Sequence, residues 1–188
     1  MRLLVLDLDG VVRHFDASAQ ATIEQQHGLE PGALWRAAFE HPRGHAVITG
    51  GLSRAAWMAE IDTALGCAAA SEWLTRPGTV DAEMRALVER ERANGRRVVA
   101  LTNATDTIGF ELERDGPAGV FDEVYASAAI GVAKPDAGAF THVLEHEGVA
   151  ANDAIFVDDS ARNVDAAKAL GMWAFVFESA QQVERLLD

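Results

Sequence analysis

Four short polar clusters follow apolar runs in this chain: Asp7-Leu8-Asp9-Gly10, Thr102-Asn103, Lys134-Pro135 and Asp158-Asp159-Ser160. Carboxylates are among the side chains least often buried unless they are paired or bind metal. If the clusters meet in space, their carboxylates repel one another unless a cation joins them. Hard oxygen ligands with few histidines and a single cysteine suit Mg²⁺. A lysine and a threonine beside them would complete a site for a phosphoryl group.

The elements that must bring the clusters together are legible in the hydrophobic pattern. "RLLVLDL", "RRVVALT", "DEVYAS", "DAIFVDD" and "WAFVF" read as buried strands. Helical spacing separates the last four. "DAEMRALVERERANG" stops at Asn94-Gly95, and "TDTIGFELERDG" is a weaker helix with Thr105 or Asp106 near its cap. "KPDAGAFTHVLEHEG" has Asp136 as N-cap, and "SARNVDAAKALG" has Ser160. Strand–helix alternation predicts an α/β fold: a doubly wound parallel sheet with a Rossmann-like core. Ligands in such sheets sit at the carboxyl ends of the strands, where all four clusters lie.

One stretch breaks the alternation. Between Phe15 and Pro77 there is no strand of comparable strength. "SAQATIEQQHG", "PGALWRAAFEH" and "SRAAWMAEIDTALG" read as helices, "ASEWLTRPG" holds a short fourth, and "HPRGHAVITGG" reads as a loop. The expected division is therefore a core of residues 1–14 and 78–188 with a helical cap insertion over 15–77. Trp35, Phe39, Trp57 and Trp73 are expected to form the core of the helical unit. Arg13, His14, Arg43 and His45 read as surface groups, and Cys67, set among alanines, as a packed one.

Bulk composition narrows the classes. The chain has 188 residues, about half of them hydrophobic, which suits one domain with a modest insertion. Its formal net charge of −13 disfavours nucleic acid and anionic membranes as partners. A single cysteine forbids an internal disulfide and fits a reducing compartment. Asp7 and Asp9 interrupt the first apolar run, so it does not read as a signal peptide, and no run is long enough to span a bilayer. A cytoplasmic location is expected; nothing in the sequence sets an oligomeric state.

The four clusters, in their order, resemble the haloacid dehalogenase-like hydrolase superfamily. "DLDGV" is similar to its first motif, "LTNAT" to its second, "FDEVYASAAIGVAKPDAGAF" to its third and "IFVDDSARNVDAAKALGM" to its fourth. The likeness runs through almost all of the chain outside the insert. The insert's position resembles that of the small helical cap found in part of the superfamily. The resemblance implies that Asp7 is a nucleophile forming an aspartyl-phosphate and that Asp9 is the general acid and base. It implies that Asp9 is protonated when a small phosphorylated substrate arrives, a state that neighbouring negative charge favours. It implies that Thr102, the backbone N–H of Asn103 and Lys134 hold the phosphoryl group. Mg²⁺ would be bound by Asp7, the backbone carbonyl of Asp9 and Asp159, with Asp158 acting through water and Asn163 behind it. Gly10-Val11 would let the backbone approach the phosphate.

Taken singly, Thr102 reads as a strand-end residue and Lys134 as a solvated lysine; their order along the chain is what lifts them. The superfamily also contains dehalogenases, but an acid such as Asp9 serves an alkoxide leaving group rather than a halide. The expected activity is a magnesium-dependent phosphatase. A phosphomutase with the same core and a non-catalytic phosphate-binding module are the alternatives.

Overall fold

The computed structural model describes residues 3–40 and 43–187. A five-stranded parallel sheet runs through it, built from β1 (Leu3–Leu6), β4 (Arg97–Thr102), β5 (Glu123–Ala126), β6 (Ala154–Asp158) and β7 (Trp173–Val176). The spatial order is β5-β4-β1-β6-β7, so the first strand is central and the chain winds outward to either side. These are the five apolar runs expected from the sequence. Alternation within them assigns the two faces. Leu4, Leu6, Val98, Ala100, Ile155 and Val157 pack under α6 (Ala82–Ala93), α7 (Ile108–Asp115) and α11 (Ala180–Leu187). Leu3, Val5, Val99, Leu101, Ala154 and Phe156 pack under α9 (Ala137–Glu147) and α10 (Ala161–Ala169). A short helix, α8 (Ser127–Ile130), directly follows β5.

Two helix starts follow the side-chain caps. Asp81 accepts from the Glu83 and Met84 N–H groups at the start of α6, and Asp136 accepts from Gly138 N–H at the start of α9. The start of α7 lies directly after the two residues expected near its cap. Thr107 is its N-cap residue, because Thr105 and Asp106 point across to the helical insert instead.

Between β2 (Arg13–His14) and β3 (Thr79–Val80) the described residues form helices and no strand. These are α1 (Ala19–Gln26), α2 (Ala33–Trp35) running into a π-helical turn at Arg36–Glu40, α3 (Arg43–Ile48), α4 (Arg54–Leu65) and α5 (Ala69–Leu74). The segment expected as a loop contains α3; Gly44 and Val47 are buried in it, and packing outweighs its low helix propensity. Ile23, Leu34, Ala38, Val47, Trp57 and Ile61 form the centre of a separate apolar cluster, with Cys67 packed against its edge. Only part of the expected aromatic core is there. Trp57 is buried, but Trp35 is 52% exposed and Phe39 43% exposed. Both rings turn out of the cluster toward the strand ends.

β2 and β3 pair antiparallel, Arg13 opposite Val80 and His14 opposite Thr79. This two-stranded stem was not expected, since two residues are too few to leave a periodic signal. It brings the two ends of the helical segment side by side.

Phe140 is fully buried and meets the Phe156 ring edge-on at a centroid distance of 5.2 Å. Phe140→Ala should lower unfolding free energy by about 3–5 kcal/mol. Phe110→Ala, on an exposed face, should change it by no more than about 0.5 kcal/mol. Urea denaturation of both variants checks the difference.

Candidate active site

β1 delivers Asp7 directly. The ladder continues one residue past the strand, with Asp7 N–H donating to Val157 C=O at 2.8 Å, so the Asp7 side chain is fixed at the sheet edge. β6 ends in Asp158, which is completely buried. Lys134 lies between them. Its Nζ is 2.8 Å from Asp7 Oδ1 and 2.6 Å from Asp158 Oδ2. It is only 4% exposed, so it is not the solvated lysine that a lone lysine suggests. Asn103, just past β4, explains its placement. The Asn103 amide donates to Lys134 C=O at 2.8 Å and accepts from Lys134 N–H at 2.8 Å. The sequence points to the backbone of Asn103; its side chain clamps the lysine. Ser127 holds the same loop from behind, accepting from Ala104 N–H and donating to Ala104 C=O. Thr102 is buried at the end of β4.

The two acids of the last cluster are placed differently. Asp158 accepts from Lys134, from Ser160 N–H at 2.8 Å and from the Asn163 amide at 3.0 Å to each oxygen. Asp159 has an exposed side chain beside Gly10. Gly10 has φ +92°, which favours glycine, and a Cβ there would displace the Asp159 carboxylate. One oxygen each from Asp7, Asp158 and Asp159 lie within 4.8 Å of one another. Such a cluster of hard oxygens fits a small divalent cation.

Burial pushes the Asp7 carboxyl up to about 7; Lys134 opposes this and Asp158 adds to it. Asp159 is raised as well, by burial and by the charge of Asp158. A bound cation would reverse both shifts.

Asp9 has surroundings that the sequence did not suggest. Arg13 Nε lies 2.6 Å from Asp9 Oδ1 and Arg13 Nη2 lies 3.0 Å from Oδ2. A cation, rather than the expected negative charge, faces the carboxylate most closely. Arg13 is not a surface group; it is 1% exposed. Its remaining nitrogen, Nη1, reaches Asp115 at 3.1 Å and Glu111 at 3.3 Å on α7. Arg54 of α4 reaches Glu111 at 2.8 Å, and Arg114 reaches Asp115 at 2.6 Å. Arg54 also donates to Leu74 C=O and to Thr105. Three arginines and three carboxylates thus join the first loop, α7 and the helical segment. Burial works against the charge on Arg13, but the hydrogen bond and charge of Asp9, with Glu111 and Asp115, raise its pKa overall. Long-range ion pairing leaves no periodic mark in a sequence. His14, Arg43 and His45 are exposed, as expected.

Arg13→Leu would take the facing cation from Asp9 and one of two cations from Glu111 and Asp115, which keep Arg54 and Arg114. A loss of unfolding free energy of about 1–3 kcal/mol, below that of a fully unpaired buried charge, is expected, read by urea denaturation at neutral pH. Asp7 makes a second prediction, for metal-free protein. Its folded pKa of about 7 stands above the model-compound 3.8, so the folded chain binds the extra proton. The stability from this group is complete below pH about 4 and is lost as pH rises through about 7. Asp7→Asn should flatten that part of the metal-free stability profile, measured by urea titrations from pH 4 to 8.

Residues 1–171 match the family model described as haloacid dehalogenase-like hydrolase. The chain is 38% identical over 93 residues to a sesquiterpene phosphatase of Aspergillus oryzae, covering 49% of this chain and 47% of that one. It is 28% identical over 197 residues to a drimenol cyclase of Aspergillus calidoustus, covering 100% of this chain and 36% of that one. The chain thus spans about a third to a half of these relatives' lengths. Among solved structures, an HAD family enzyme of Bacteroides thetaiotaomicron in complex with magnesium and inorganic phosphate has the same fold. Its TM-score is 0.80 at 19% identity, and the match covers 100% of both chains. With a match over residues 1–171 and this fold, the chain belongs to the haloacid dehalogenase-like hydrolase family.

Proposed function

We propose that the chain is a magnesium-dependent phosphomonoester hydrolase that acts on a small phosphorylated metabolite through an aspartyl-phosphate on Asp7. The observation that carries this reading is the buried Lys134, which touches Asp7 and Asp158 at once, with Asp159 in reach of both acids. The magnesium and phosphate bound by the Bacteroides enzyme and the phosphatase among the relatives support it.

Asp7, the backbone carbonyl of Asp9 and Asp159 would hold Mg²⁺, with Asp158 reaching it through water; the bound ion would neutralise phosphoryl charge. Asp159 suits direct contact because Asp158 already spends its oxygens on Lys134, Ser160 and Asn163. Lys134 and the loop at Thr102-Asn103 hold the phosphoryl oxygens. A carboxylate oxygen of Asp7 attacks phosphorus, and the bond from phosphorus to the ester oxygen breaks. Asp9 gives its proton to that oxygen, and the alcohol leaves. Asp9 then takes a proton from the incoming water, which attacks the same phosphorus and frees Asp7. For Asp9 to carry a proton, at least one of its two bonds from Arg13 must open. Asp9 also supports phosphoryl transfer over halide displacement, since a halide leaves without an acid. The helices between Arg13 and Val80 serve as a cap over the strand ends and favour small substrates over proteins.

Rapid-mix kinetics with p-nitrophenyl phosphate and Mg²⁺ tests this reading. Asp7→Asn should release no phenolate above background. Asp9→Asn should release one burst and then stall, because phenolate leaves unaided while the aspartyl-phosphate lacks its base. A burst from Asp7→Asn and none from Asp9→Asn would reverse the assignments. Undiminished turnover after exhaustive chelation would remove the magnesium.

A further inference from the structure

Above the strand ends the helical segment encloses a chamber of about 510 Å³. Asp9 and Asn103 line it at the sheet edge, so it reaches the two loops that follow Asp7 and Thr102. Its walls are largely aromatic and aliphatic: Phe15, Trp35, Phe39, Trp57, Trp73 and Leu74. Phe39 is the centre of this wall. Its ring lies 4.4 Å from Trp35, 5.8 Å from Trp57 and 6.1 Å from Trp73, centroid to centroid. Phe15 is 48% exposed, and with Trp35 and Phe39 it leaves a contiguous apolar surface toward the chamber. Such a surface is costly to hydrate, and a soluble protein keeps one where a ligand covers it.

The polar groups around the chamber are few and mostly committed. Arg54 is held by Glu111, Thr105 and Leu74, and the Asn103 amide is held by Lys134. Asp16, Arg76 and Thr79 are exposed to solvent. A sugar ring or a nucleobase in this chamber would find partners only in Asp16, Arg76 and Thr79, and would leave the groups that face the aromatic wall unpaired. A hydrocarbon needs no partner there, at the cost of leaving the buried Trp57 Nε1 unpaired, as it already is among the described residues. At about 30 Å³ per water-sized group, the space holds on the order of fifteen non-hydrogen atoms.

We infer that the natural substrate is an amphiphilic phosphomonoester whose leaving alcohol is a medium-length hydrocarbon, seated against the wall formed by Phe15, Phe39 and the tryptophans with its phosphate at Asp7. This deepens the phosphatase reading and rests on it for the reaction, though not for the binding. Arg54 and Asp9 then mark the boundary between the charged end and the greasy one.

The test is kcat/KM in magnesium for straight-chain alkyl phosphates from methyl to dodecyl, below their micelle concentrations. Ribose 5-phosphate and adenosine 5′-monophosphate are run beside them. The value should rise about threefold to fourfold per methylene, the factor that burial of one CH2 supplies, and level off when the chamber is full. Trp35→Ser and Phe39→Ser, whose side chains are half exposed, should keep the fold by thermal unfolding and lower the decyl-to-methyl ratio at least tenfold. A flat series, or faster hydrolysis of either polar substrate than of decyl phosphate, would overturn the inference. Intrinsic fluorescence titration with alkylphosphonates reads the same preference without turnover, because Trp35, Trp57 and Trp73 line the chamber. If no ester is hydrolysed but decylphosphonate binds far more tightly than methylphosphonate, the phosphatase reading falls and the apolar site stands. If chain length makes no difference to binding, the apolar site falls as well.

Discussion

Carboxylates at the ends of adjacent parallel strands repel one another, and in this fold one buried ammonium holds two of them in place. Lys134 contacts Asp7 and Asp158 with a few percent of its surface open to water. At such burial a charge is tolerable only when it is paired and hydrogen-bonded. Much of the local architecture serves that condition. β1 and β6 are neighbours in register, which sets Asp7 beside the end of β6. Asn103 pins both the N–H and the C=O of Lys134, and Ser127 pins the loop that carries Asn103 onward. Asn163 saturates the far side of Asp158. Asp7 and Asp159 are both raised, first by burial and then by the charge of Asp158, and a divalent ion would oppose both effects.

The parallel sheet was legible because fully buried strands are continuous apolar runs, and their polar ends mark the sheet edge. Asp7, Thr102 and Asp158 could be read from those positions, and Lys134 from its order after the third run. What lies one step behind them could not. Asn103 acts through its side chain, and Arg13 looks like any charged residue after a strand. Its partners Glu111 and Asp115 lie about a hundred positions away, and no local pattern records that distance. The aromatic residues of the insert mislead in a different way. Trp35 and Phe39 have the helical spacing of core residues, yet they line a chamber. A hydrophobic pattern reports which face avoids water, not whether the thing that covers it belongs to the same chain.

A second ion cluster meets the first at Asp9. The Asp9 backbone lies between Asp7 and Gly10, while its side chain belongs to Arg13. Through Glu111, Arg13 is linked to Arg54 on α4. The position of the helical segment and the orientation of Asp9 therefore share one set of charged contacts. A displacement of α4 removes a counter-ion from Glu111 and shifts the balance of forces on Arg13. The helical segment and the Asp9 carboxylate are thus joined by one chain of ion pairs.

The stem of β2 and β3 joins the helical segment to the sheet through four residues. Gly78 follows the return of the chain, and a Cβ there would meet Arg13 Cγ at 2.6 Å; its N–H also donates to Asp115 at 3.0 Å. Entry and exit are thus side by side, and the sheet is closed without the helices between them. In evolutionary terms this is a socket. A helical insert of different shape would fit the same stem, provided that it supplies a cation to Glu111 in place of Arg54. The socket also has a keyway: a graft that discards Arg13, Gly78 or Asp115 would break the contact that orients Asp9.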